Sequence, residues 1–164
     1  MKKIIFISVV LLITLTACDL NNNPNSKVEE LLGKYQMFDK TINITTSRIS
    51  GSTNLDNDTE EKYKDIIKKQ YKNLSYELKE EKIDGDTATV TTEIEVLDYK
   101  SILDKYQKEN YTEQDYHDKI IEELKEVKEK TVYTVEFTLT KDKNGNWSVD
   151  PLTDEIESKL LGIY

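Results

Sequence analysis

The chain has 164 residues, with 23 Lys or Arg against 32 Asp or Glu, and carries a net charge of −9 at pH 7. That acidic balance argues against nucleic acid, whose binders need a basic footprint, and gives no attraction to anionic headgroups. One cysteine excludes an intramolecular disulfide, so stability has to come from a hydrophobic core, and the length suits a single domain.

Met1-Lys2-Lys3 is a short positive start, Ile4 to Ile13 is apolar apart from Ser8, and Leu15-Thr16-Ala17-Cys18 follows. This is the pattern of a secretory signal peptide. A spanning helix needs roughly twenty apolar residues, more than this run supplies, and the polar stretch Asp19 to Ser26 follows at once. Leu15 to Cys18 resembles the lipobox of bacterial lipoproteins, with a small residue before the cysteine. The resemblance implies a diacylglyceryl group on the Cys18 sulfur and cleavage between Ala17 and Cys18. The alternative is an ordinary secretion signal with an incidental cysteine. Each buried methylene contributes about 0.8 kcal/mol, so two long acyl chains contribute on the order of 20 kcal/mol. Removing residues 1–17 takes Lys2 and Lys3 with it, leaving 147 residues with 21 basic and 32 acidic side chains, a net of −11.

Residues 18–25 read as the lipidated cysteine and a flexible tether (DLNNNPN), and residues 26–164 as one domain. Ser26 and Glu29 have the spacing of a capping box, and Val28, Leu31, Leu32, Tyr35 and Phe38 share one helical face. Residues 41–57 mix β-branched side chains with loop chemistry around Gly51. Asp58 or Thr59 is the expected cap of a second helix, whose stripe is Tyr63, Ile66, Ile67, Tyr71 and Leu74. The period then switches to two. A strand from Tyr76 to Ile83 turns at Asp84-Gly85-Asp86 into one carrying Ala88, Val90, Ile94 and Val96. Opposing Tyr76 to Ile94 and Leu78 to Thr92 brings the apolar residues together, which predicts an odd-length loop with a glycine bulge.

Residues 99–130 are predicted helical, in two pieces. Tyr99, Ile102, Leu103 and Tyr106 form one stripe, Asn110 to Thr112 break it, and Tyr116, Ile120, Leu124 and Val127 form another. Tyr133, Val135, Phe137 and Leu139 alternate along a third strand. Asn144-Gly145 marks a turn, and a loop of three or five residues keeps Trp147 on the face of Leu139. Pro151 ends that last strand. Thr153 or Asp154 caps a closing helix with Ile156 and Leu160, stopped by Gly162. The expected fold is α+β: an antiparallel sheet of about four strands in two hairpins, helices on one face, and a helical insertion, 99–130, between the hairpins.

Two segments, "NLSYELKEEKIDGDTATVTTEIEV" and "YTVEFTLTKDKNGNWSVD" followed by a short helix, resemble a group of Gram-positive bacterial lipoproteins without an established activity. Their domain is similar to the nuclear-transport-factor-2-like (cystatin-like, cone-shaped) fold. The resemblance covers most of residues 26–164 and implies a fold and an address, with no catalytic residues to carry over.

The search for chemistry yields little. His117, the one histidine, sits among charged residues and reads as a surface side chain. It has neither the companions of a metal ligand nor the nucleophile of a general base. Asp56-Asn57-Asp58 with Glu60 matches the start of a calcium loop but lacks its central glycine and distal glutamate. No metal, cofactor or nucleic acid is expected. Most of the ten tyrosines lie on helix stripes, where core or rim packing is the default. Tyr99, Tyr106, Tyr116 and Trp147 are the candidate ligand or partner contacts. The expected function is a non-enzymatic extracytoplasmic lipoprotein, held to the cell membrane through Cys18 and meeting an envelope partner through the 99–130 arm. The alternatives are a small-molecule binder using the cone's interior and, behind it, an enzyme.

Overall fold

The computed structural model describes residues 22–42, 45–106 and 110–164. Ala17, Cys18 and the signal segment therefore lie outside the described residues. The elements in order are α1 (Pro24–Gln36), α2 (Ser47–Ser50), α3 (Asn57–Asn73), β1 (Ser75–Asp84), β2 (Thr87–Leu97), α4 (Tyr99–Lys105), α5 (Glu113–Glu126), β3 (Lys130–Lys141), β4 (Trp147–Val149) and α6 (Asp154–Leu160).

The strands form one open antiparallel sheet in the order β1-β2-β3-β4. Alternation along β2 puts Ala88, Val90, Thr92, Ile94 and Val96 on one face, where they are buried. Val135, Phe137 and Leu139 join them from β3. The other face carries Thr134, Glu136, Thr138 and Thr140, all exposed. The helices pack against the apolar face, as the period-two pattern requires. Tyr63, Tyr99, Phe137, Leu32, Ile66 and Ile67 are each under 2% exposed, so the space between sheet and helices is filled by side chains.

The first hairpin corrects one expectation. Tyr76 does face Ile94 and Leu78 does face Thr92, but the loop has two residues, Gly85 and Asp86, between the paired Asp84 and Thr87. Gly85 supplies φ +61 at the first central position, which a two-residue turn of this kind needs. The extra residue is instead in β1, where the register shifts between Leu78 and Glu80. A bulge at Lys79 restores the facing of apolar residues that an odd loop would have supplied. The second hairpin has a five-residue loop, and Trp147 opposite Lys141 shares the face of Leu139.

Helix boundaries also moved. α1 begins two residues early, at Pro24, because Asn23 caps it through a reciprocal bond with Ser26 and proline suits the first helical turn. Pro24 and Asn25 thus belong to the helix and not to the expected tether of residues 18–25, whose first four residues lie outside the described ones. α3 is capped by Asp56, whose carboxylate accepts from the Asp58 and Thr59 amides. That carboxylate is engaged as a cap, which accounts for the acidic cluster there. Among the described residues of 41–57 the regular element is one helical turn, α2, closed by Gly51 at φ +66.

Where β2 ends, Gln70 joins three elements. Its Nε2 donates to the Leu97 and Leu161 carbonyls at 2.9 and 2.6 Å, and its Oε1 accepts from the Leu97 amide at 2.8 Å. Gly162, at φ +68, passes so close to Gln70 and the Leu97 carbonyl that a Cβ would collide with both.

Candidate functional site

The 99–130 insertion is rooted at the far end of the sheet, where Leu97 pairs with Lys130 and the Asp98 amide donates to the Glu129 carbonyl. α5 packs on α3 and α4. Contacts step along α3 to the insertion: Lys69 Nζ caps the Lys125 and Val127 carbonyls at the end of α5, Tyr99 of α4 donates to the Ile66 carbonyl, and Tyr63 meets His117 of α5. Because α5 is covered from two sides, its buried face is wide, taking in Tyr116, His117, Ile120, Ile121 and Leu124.

His117 is consequently 3% exposed, which corrects its reading as a surface residue. A single-stripe pattern misses it because it lies one position beside Tyr116. Its Nδ1 is 2.9 Å from the Tyr63 hydroxyl, and its Nε2 is 3.9 Å from Glu113 Oε1. A neutral imidazole offers one donor and one acceptor, so it can close the bond with Tyr63 in either sense. Burial raises the Tyr63 hydroxyl well above the usual tyrosine range and raises Tyr116 too, so both phenols stay neutral. A cleft of about 310 Å³ opens beside this pair, lined by Leu55, Asp56, Thr59, Glu113, Gln114 and His117.

An aromatic series runs outward from the pair. Ring centroids are 5.7 Å apart for Tyr63 and His117, 5.5 Å for His117 and Tyr116, 6.5 Å for Tyr116 and Tyr111, and 6.2 Å for Tyr111 and Tyr106. These are favourable tilted and edge-on separations. Tyr111 is 41% exposed. The Tyr106 hydroxyl donates to Glu123 at 2.9 Å, and that bond is the first cause holding the Glu123 carboxyl below its ordinary range.

The predicted contacts therefore separate. Tyr106 and Tyr116 belong to this series. Tyr99 is fully buried, bonded to the Ile66 carbonyl, and serves the core. Trp147 is 6% exposed at the other end of the sheet, with the Lys141 ammonium 4.5 Å over its ring. Tyr111 and Tyr63 complete the series without having been singled out for contact. A tyrosine in the polar break Asn110 to Thr112 was the available signal for Tyr111. Among the described residues no group of three His, Cys, Asp or Glu side chains is placed to hold a metal ion, and no helix is long and apolar enough to cross a membrane.

No protein-family model matches the chain, and no curated protein is similar enough to count as a match. Among solved structures, a Bacillus subtilis protein provisionally described as a lipoprotein, ycdA, is similar at 17% identity and a TM-score of 0.46. The match covers 87% of this chain and 50% of that one, so the chain spans about half the length of that structure.

Proposed function

We propose that this chain is a lipid-anchored extracytoplasmic protein of the cell membrane, without enzymatic activity of its own, that presents the 99–130 arm to a protein partner at the envelope. The observation that carries the anchor is Leu15-Thr16-Ala17-Cys18 placed directly after a short apolar run. The choice of arm rests on the Tyr106–Tyr111–Tyr116 series, because tyrosines are enriched where protein surfaces meet. The same reading takes the domain as a relative of the nuclear-transport-factor-2-like fold from a Gram-positive cell, facing outward from the plasma membrane. A filled interior weighs against a ligand inside the cone, and the α3–α5 cleft is the better place for a small-molecule reading.

Cys18→Ala tests the anchor. The variant is expected to accumulate as unprocessed precursor or to leave the membrane fraction. A Cys18→Ala protein that is still cleaved and still membrane-bound would refute the reading. Tyr111→Ala, at an exposed position, tests the arm: it should reduce recovery of a crosslinked envelope protein while leaving the melting temperature unchanged.

A further inference from the structure

The segment that follows the proposed lipidation site is fastened to one end of the sheet. The Asn22 side chain donates through Nδ2 to the Gly145 carbonyl at 3.1 Å, and its Oδ1 accepts from the Trp147 amide at 2.9 Å. The side chain thus satisfies a carbonyl and an amide at the mouth of the β3–β4 loop. One turn on, the Asn25 amide donates to the Glu81 carboxylate at 3.1 Å. The first turn of α1 has no acidic residue of its own, and Glu81 supplies the negative charge its positive end favours. The Lys141 amide donates to the Asp86 carbonyl at 2.8 Å, so both turns and the start of α1 gather at this one end.

We infer that this turn end, formed by Gly85–Asp86, the 142–146 loop and Asn22, faces the bilayer, and that the 99–130 arm is held at the opposite, outward end. The inference rests on the lipid-anchor reading and adds the direction in which the domain is displayed. Cys18 is four residues before Asn22, a reach of at most about 14 Å even when fully extended. β2 has 11 residues and separates the two ends by about 36 Å. The arm's root at Leu97 and Lys130 could reach the membrane only if the domain lay on its side. That posture would press more of a chain of net charge −9 against anionic headgroups, which give it no attraction.

The test uses the full-length lipidated protein in vesicles of phosphatidylcholine and phosphatidylglycerol that contain a nickel-chelating lipid. Cys18 is the one native cysteine and is alkylated by the lipid, so a nitroxide reports a single new cysteine. Lys143→Cys labels the turn end and Glu122→Cys labels the arm. The expected result is severalfold stronger relaxation by headgroup nickel at position 143 than at 122. Inserting about twenty Gly/Ser residues before Asn22, with a root-mean-square span of about 25 Å, should erase most of the difference. Equal relaxation at the two positions without the insertion, or stronger relaxation at 122, overturns the orientation while leaving the anchor intact. A protein whose mass lacks the diacylglyceryl group, and which does not float with the vesicles, refutes the anchor reading and the orientation with it.

Discussion

Raising the pH should unfold this domain abruptly, through four tyrosines. Tyr35, Tyr63, Tyr71 and Tyr99 are 7%, 0%, 5% and 0% exposed. Burial, the largest cause in each case, pushes Tyr35 up to about 12 and the other three higher still. An unfolded tyrosine ionises near 10. A folded-state value above the unfolded one means that the stability is fully present below about pH 10 and is lost as pH rises toward the folded values. Each buried phenol costs about 1.4 kcal/mol per pH unit above 10, so four together remove about 5–6 kcal/mol by pH 11 and about twice that by pH 12. A domain of this kind has roughly 5–15 kcal/mol in total, so the midpoint should fall at about pH 11 or above. Tyrosinate absorbance followed alongside far-ultraviolet circular dichroism checks this. The buried four should ionise together with the collapse of the dichroism. All ten tyrosines ionising in one simple step near pH 10, with the dichroism intact, would refute the assignment of these four rings to the core.

Gln70→Leu should destabilise by about 3 kcal/mol or more in urea denaturation, since it leaves two buried carbonyls and an amide at Leu97 and Leu161 without their partner. A loss under about 1 kcal/mol would mean water replaces the amide there. Gly162→Ala combines a left-handed backbone with a collision against Gln70 and Leu97; it should cost at least about 2 kcal/mol, and an unchanged melt would count against that close approach. Trp147→Ala should cost roughly 3–5 kcal/mol as a buried aromatic truncation, read from the shift in denaturation midpoint, and a shift near zero would place the ring in solvent.

Much of the fold is legible along the chain because it rests on local periodicity. The alternation Ala88, Val90, Ile94, Val96 and the stripe Tyr63, Ile66, Ile67, Tyr71 each state a burial direction without reference to any partner. The facing of Tyr76 with Ile94 follows from the same alternation, because a slip of one residue would turn every apolar side chain outward. What produces that facing does not follow. An odd loop and a two-residue loop with a bulge at Lys79 satisfy one pattern equally, and the chain takes the second.

The chain by itself determined the α+β class, the two hairpins, the helical insertion and the lipobox-like segment, since each is written in neighbouring residues. Tertiary structure alone decided that His117 is buried against Tyr63, that Tyr111 extends the aromatic series, that Gln70 joins α3 to β2 and α6, and that Asn22 is fastened beside Trp147. Those contacts join residues from 27 to 125 positions apart, except for the short step from Tyr111 to Tyr116, which crosses the break between two helices. No local propensity encodes such pairings. They depend on which faces remain to be covered once the sheet and its helices have packed.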